Sequence, residues 1–295
     1  MDSARMQGKA SVLAGQRELC YNSTGFRLCS TRKPDRRHTL TDNYHTHTYR
    51  CRHADGTERE YIEKALSLGI TTLGFSEHAP YRFPGGYISW YHLQPEDTED
   101  YVQTLLALRA EYCGRIALPL GFEAEYYPAL FGELTARLRD LPVDYLILGQ
   151  HSLNNETDGV SCYDETSSPA LLAAYVDQCL AGLDTGLFSI LAHPDLFHFT
   201  GSEAVYTREM TRLCRYAREN GIALEVNLLG LSSGRHYPSK RFFRIARDCG
   251  CTILAGLDAH RVENILQPDT LPAYRSFVEE LDLAIRPSIP LRKPF

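Results

Sequence analysis

From Asn43 onward the chain alternates between two patterns of apolar and polar positions. Short, almost continuous apolar runs read as buried strands, and longer stretches with apolar residues three or four apart read as amphipathic helices. The strand candidates are residues 43–48 (NYHTHT), 71–78 (TTLGFSEH), 117–126 (ALPLGFEAEY), 144–151 (DYLILGQH), 188–195 (FSILAHPD), 223–230 (ALEVNLLG) and 251–260 (CTILAGLDAH). Helical periodicity falls between them, as in residues 57–68, 97–112 and 203–220. Strand–helix units in this order predict a parallel α/β fold, and closure into a seven-stranded (β/α)7 barrel of the TIM type is the simplest arrangement. Residues 81–93, YRFPGGYISWYHL, carry aromatics around a Pro-Gly-Gly turn. They are expected to form an ordered loop over the site, with a plain surface connection as the alternative.

Residues 1–40 lack this rhythm. They hold eight Lys/Arg against three Asp/Glu and read as a poorly ordered N-terminal extension, with an Arg-rich targeting segment as the alternative. Residues 41–295 are then the barrel domain. The whole chain carries a net charge of −6, so the extension at +5 leaves a body near −11. An acidic body argues against nucleic acid as a partner and suits a small substrate that itself carries a cation. No stretch approaches the roughly 18 apolar residues of a membrane span, and the first residues lack the apolar core of a secretory signal. A cytoplasmic protein without a membrane partner is expected; the pattern says nothing of oligomeric state. The cysteine count is odd, nine, with no C-x-x-C pair, which fits reduced thiols better than a disulfide framework. Cys249 and Cys251 read as packing residues.

The chemistry lies where the apolar runs end. In His45-Thr46-His47 the i,i+2 spacing points both imidazoles to one face of a strand, where they can share a metal ion. Asp258-Ala259-His260 repeats that arrangement on the last strand. His78, His151 and His193 each close an apolar run, as does Glu123, and His53 follows the first pair in a polar turn. One H-x-H is weak, and a single strand-end histidine is more often a hydrogen-bonded structural residue. Seven of eleven histidines at positions that converge on one barrel mouth is a different matter. The bland reading needs seven separate buried rings, each with its own partner. Nitrogen and carboxylate donors suit Zn, Fe or Mn, and the set exceeds what one ion can use, so two to three divalent ions are implied.

These residues resemble the PHP (polymerase and histidinol phosphatase) superfamily, in particular its histidinol-phosphate phosphatase branch. The H-x-H with a third histidine is matched by His45, His47 and His53; the acid-His strand end by Glu77 and His78. The G-x-E element falls on Gly121 and Glu123, the lone histidine of the fourth strand on His151, the later one on His193, and the closing D-x-H on Asp258 and His260. The resemblance covers about residues 42–262. It implies a distorted seven-stranded barrel and a trinuclear centre. One ion would take His45, His47, Glu123 and Asp258, a second His53, His78 and His260, and a third Glu123, His151 and His193. Glu125 shares Glu123's face of the strand, so the choice of Glu123 rests on the family pattern. Glu77 stands where many relatives have Asp.

The activity implied is hydrolysis of a phosphomonoester, with L-histidinol phosphate as the expected substrate and histidine biosynthesis as its setting. Another small phosphoester, a nucleotide or a phosphotyrosine is the alternative. The expected mechanism is attack by a metal-bound hydroxide without a phosphoenzyme. Asp258 and His260 are catalytic candidates as well as ligands, and leaving-group protonation falls to Asp195 or to a histidine of the set. Arg235 is the leading phosphate-binding candidate because its fork matches two oxygens, followed by His236 and Lys240. His38, His92 and His198 are expected to be ordinary surface or loop histidines. A rival reading takes Gly230-Leu-Ser-Ser-Gly234 as a nucleophile elbow, with Ser232, Asp248 or Asp258, and His260 as a serine-esterase triad. It is disfavoured because Pro238 follows too soon for a helix and because the other histidines would go unexplained.

Overall fold

The computed structural model describes residues 39–295, so the expectation for an N-terminal extension lies almost wholly outside them. The packed domain begins no later than Leu40, which is buried and donates its N–H to Gln267. Nine strands and eight α-helices follow among the described residues. Seven of the strands form one parallel sheet in sequence order: β3 (Phe75–His78), β4 (Leu120–Ala124), β5 (Tyr145–Leu148), β6 (Phe188–Leu191), β7 (Ala223–Asn227), β8 (Ile253–Gly256) and β9 (Ile285–Arg286). The other two, β1 (Asp42–Asn43) and β2 (Thr72–Leu73), pair with each other.

The helices packed outside the sheet are α1 (Glu58–Ser67), α2 (Thr98–Glu111), α3 (Phe131–Leu138), α4 (Pro169–Asp184), α5 (Glu203–Glu219), α6 (Leu228–Ser232), α7 (Lys240–Asp248) and α8 (Pro272–Leu281). Local chemistry sets their starts. Thr57 and Glu60 form a reciprocal capping box on α1, and Ser168 and Ser239 cap α4 and α7 with their side chains. No helix among the described residues is long and apolar enough to cross a membrane.

Sheet membership differs from the sequence expectation at both ends. The predicted first strand, 43–48, forms no continuous ladder, and β9 supplies the seventh member. Residues 43–47 instead lie between the β3 strand and the chain beyond β8. On one side Gly74 and Ser76 donate to Asn43 and Thr46; on the other His47 donates to Ala259, beside a single parallel bridge from Thr46 to Ala259. Asn43 reinforces this span, accepting from Leu257 N–H and donating to Thr46 Oγ1. The H-x-H segment is thus tied to both the second and the last predicted strands.

Alternation along each strand sorts the core. Leu120, Phe122, Leu146, Leu148, Leu224 and Val226 belong to the large core shared with the helices. Tyr44, Tyr145, Ile147, Ile190, Ala192, Ala223 and Leu254 form a small inner cluster. Glu123 and Glu225 share strand faces with Gly121 and Ala223, two residues nearer the amino end. The C-terminal ends of the strands therefore carry the charged donors. All seven cysteines among the described residues are free, and Cys249 and Cys251 pack against the core as expected.

Candidate metal centre

Nine side chains named from the sequence gather at one site, and six of them, His53, His78, Glu123, His151, Asp258 and His260, line one cavity. His45, His47, His78, Glu123, His151, His193 and Asp258 are each 7% exposed or less. His260 is partly buried and His53 stands at the rim. Glu123 is the hub: Oε2 lies 3.4 Å from the Nε2 atoms of His45 and His47 and 3.1 Å from His78 Nδ1. Its Oε1 lies 2.9 Å from His193 Nε2 and 3.5 Å from His151 Nε2. Asp258 Oδ1 lies 3.4 and 3.5 Å from the same two nitrogens of His45 and His47. The His53 ring is centred 4.4 Å from His260 and 5.2 Å from His78.

These spacings test whether a cation fits. His45 Nε2, His47 Nε2, His78 Nδ1, Glu123 Oε2, His193 Nδ1 and His260 Nε2 are all buried without a hydrogen-bond partner. Native interiors leave few such atoms, and here they share one site. Four donors, from His45, His47, Glu123 and Asp258, stand 3.4–3.5 Å apart along the four measured edges. Four donors with such edges can share a point about 2.1 Å away if they close into a tetrahedron, or about 2.4 Å away if they lie flat, close to the zinc–nitrogen and zinc–oxygen range. The donor set fits divalent cations.

Electrostatics agree. Burial pushes the Glu123 and Asp258 carboxyls up, yet the surrounding imidazoles, His45 foremost, hold both well below the usual range. Burial lowers His45, but Glu225, Asp258 and Glu123 together raise it well above an ordinary imidazole. His47, opposed by burial in the same way, is raised to about 9 by Asp258 and Glu123. Positive charge is in demand between the two carboxylates. His78 falls well below, and His260 falls to about 3, through burial and the neighbouring His47, so both rings are neutral and available as donors.

An outer set of carboxylates, unnamed or left undecided by the sequence, aims these rings. Glu225 Oε1 meets His45 Nδ1 at 2.8 Å, while its Oε2 accepts from His193 N–H and Asn227. Glu125 meets His151 Nδ1 at 2.8 Å. Such contacts fix the tautomer and leave the far nitrogen free to ligate. Glu77 accepts from the N–H and hydroxyl of Thr48, and burial raises it to about 7. The signal for Glu225 was present, since Glu and Asn interrupt an otherwise apolar strand and a buried carboxylate needs partners.

The other candidates divide. Arg235 lines the cavity, its Nη1 donating to Tyr237 Oη at 2.5 Å. His236 lines it too, but its Nε2 is committed to Leu196 O at 2.6 Å and its ring stacks on His198. Lys240 is corrected: it starts α7, and its ammonium pairs with Glu280 on α8, away from the lining residues. Asp195 also does not line the cavity. Its Oδ2 accepts Ser239 N–H, and burial raises it to about 6. His92, expected as an ordinary surface or loop histidine, is buried against Glu125 and Glu156. Ser232 ends α6 exposed, its hydroxyl turned to Leu229 O, which is not a strand–elbow–helix nucleophile.

The loop of residues 81–93 supplies Tyr87, Trp90 and Tyr91 to the wall of the cavity, which measures about 990 Å³ and opens onto Asp258, His260 and His151. Tyr163 and Tyr237 also line it.

The family model described as PHP domain matches residues 43–228. A "Probable histidinol-phosphatase" of Deinococcus radiodurans is 29% identical over 226 residues, covering 74% of this chain and 85% of that protein. The "Histidinol-phosphatase" of Bacillus subtilis is 26% identical over 268 residues, covering 80% and 97%. Among solved structures, the histidinol phosphate phosphatase of Lactococcus lactis, complexed with zinc, L-histidinol and phosphate, superposes with a TM-score of 0.64 at 18% identity, covering 82% of this chain and 94% of that one.

Proposed function

The chain belongs to the PHP domain family, and on that premise we propose that it is a metal-dependent phosphomonoesterase acting on L-histidinol phosphate, releasing L-histidinol and phosphate. The observation that carries the chemistry is the cage of His45, His47, Glu123 and Asp258, whose donor atoms stand too far apart to bond one another and close enough to share a cation. The substrate is supported by the curated relatives of this branch, which the chain spans over most of their length.

Two to three ions of Zn, Fe or Mn are proposed, held as the resemblance groups the ligands, with Glu123 shared between two of them. When bound, such ions acidify water and neutralise phosphoryl oxygens, which is the help a phosphate monoester needs. The protein's own part is placement. Glu225 and Glu125 hold His45 and His151 with their outer nitrogens engaged, so the inner nitrogens face the cluster. Arg235, anchored by Tyr237, offers its remaining guanidinium N–H groups to phosphoryl oxygens from the cavity wall. The aromatic walls restrict water around the organic part of the substrate.

Purified protein reconstituted with zinc or manganese is expected to release phosphate from L-histidinol phosphate, and His47→Ala is expected to lose both bound metal and activity. A panel including a nucleotide and phosphotyrosine tests the assignment. Equal turnover of unrelated phosphoesters would assign a generalist instead.

A further inference from the structure

The cavity contains a carboxylate that phosphate chemistry does not need. Glu156 lies between β5 and α4, and its side chain is only 9% exposed although it lines the cavity. Its Oε1 accepts from Tyr87 Oη at 2.6 Å and from Ser89 Oγ at 3.1 Å. Its Oε2 is buried without a hydrogen-bond partner. The facing ring nitrogen, His92 Nε2, is 3.7 Å away, and 3.6 Å from Glu125 Oε1. That nitrogen has no partner either. His92 Nδ1 contacts Ala79 O at 2.6 Å, so that nitrogen donates to the carbonyl and leaves Nε2 facing both carboxylates. Among the described residues no lysine or arginine pairs with Glu156 or Glu125. A carboxylate this deeply placed and short of donors calls for a cation.

Aromatic faces lead from the metal ligands toward it. Tyr91 is centred 5.0 Å from the His78 ring and Trp90 5.4 Å from the His53 ring. Tyr87, which holds Glu156, and Trp90 are 42% and 64% exposed. Aromatic faces attract organic cations, and a buried carboxylate adds direction and charge. Arg235 lines the same cavity and brings positive charge to it. The cavity is therefore polarised, with a place for phosphate at the ligand cluster and a place for positive charge at the aromatic wall.

We propose that Glu156, behind Trp90 and Tyr91, is a specificity-determining residue that binds the ammonium or imidazolium end of the substrate and selects cationic phosphomonoesters over neutral ones. This rests on the phosphatase reading above. A site built around a buried charge rejects ligands that leave the charge unpaired.

The test compares wild type and Glu156→Gln, both metal-replete, on L-histidinol phosphate, phosphoethanolamine and p-nitrophenyl phosphate. The preference for the two cationic esters, taken as the ratio of kcat/KM to that of the neutral ester, is expected to fall about 10- to 100-fold, mainly through KM. Equal losses on all three substrates would assign Glu156 a structural role and overturn the proposal, as would an unchanged ratio. Glu156→Asp, which keeps the charge, is expected to recover part of the preference, and thermal melting identifies a variant that fails to fold. If wild type with bound metal hydrolyses none of the three, the phosphatase reading has failed. L-histidinol titrated calorimetrically into both proteins then decides the point, because equal affinity would remove the cation subsite.

Discussion

Gly149→Ala adds a single methyl group, and its effect can be worked from the structure. Gly149 follows β5, whose Ile147 lies in register with Glu123 on β4, and two residues further on the chain faces the same side. A Cβ there would lie 1.9 Å from Glu123 Oε1, 2.6 Å from its Cδ and 2.7 Å from its Cγ. Ordinary contact begins at 3.4 Å, so Oε1 must retreat by 1.5 Å. That oxygen meets His193 and His151, and the same carboxylate's Oε2 meets His45, His47 and His78, so one displacement disturbs five imidazole contacts. A misplacement of about 1 Å at a reacting centre costs on the order of 100-fold in rate, about 2.7 kcal/mol of transition-state stabilisation. Overpacking itself costs about 1–3 kcal/mol, which a domain of this size survives. The backbone at Gly149 is not left-handed, so the effect is on the carboxylate and not on the turn. Metal content by mass spectrometry, phosphate release and a melting curve separate these terms. Gly132→Ala is the control: Gly132 is exposed in α3 with nothing within 4 Å of the added Cβ, and alanine there stabilises by up to about 1 kcal/mol. A Gly149→Ala protein with full metal stoichiometry and kcat/KM within about threefold of wild type would refute the hub role given to Glu123.

Three further outcomes follow from the same geometry. Stripping the metal leaves Glu123, Asp258 and the neutral imidazoles buried without their common partner. The melting midpoint is expected to drop by about 5–15 °C and to recover on adding zinc; a verified apo-protein with an unmoved midpoint would argue against a cation at this site. Arg235→Lys is expected to raise KM about tenfold, since the fork held by Tyr237 cannot be replaced by a point charge. Lys240→Ala, which removes an exposed pair with Glu280, should alter stability by at most about 1 kcal/mol and leave phosphate release as it was. A larger loss at Lys240 than at Arg235 would reverse the assignment of the phosphate-binding side.

How legible the site was depends on how each residue advertises itself. His45 and His47 announce a shared face through spacing alone, and Glu123, His151 and Asp258 stand at the ends of apolar runs where a polar group has no packing reason to be. Glu225 obeys the same alternation as the packing residue Ala223, and its partner His45 is 180 residues away. Which imidazole it reaches depends on where residues 43–47 are held between β3 and the chain beyond β8, which local patterning does not encode. The loop residues fared worse for the same reason. Glu156 sits among polar residues and His92 among aromatics, and both acquire meaning only when two loops meet at one cavity. Lys240 shows the converse: five residues beyond Arg235 in the chain, it starts α7 and pairs with Glu280.

The strand ends add a term that sequence patterning does not carry. The apolar runs at 188–195 and 251–260 read as strands through to their polar residues, but β6 and β8 stop at Leu191 and Gly256. Beyond them the backbone turns over, with φ of 29° at His193 and 48° at Asp258. That region costs an ordinary side chain on the order of 1–3 kcal/mol, and it persists only where the surroundings hold it. At His193 the holding contact is the N–H donated to Glu225, the same carboxylate that orients His45. At Asp258 it is Asn227, bonded to both Glu225 and Asp258. Gly256 completes the arrangement, because a Cβ there would lie 1.7 Å from Glu225 Oε1. One buried carboxylate therefore aims one ligand, holds a second in a strained turn and reaches a third through an asparagine. The strain at the two strand ends and the geometry of the cage share a single support.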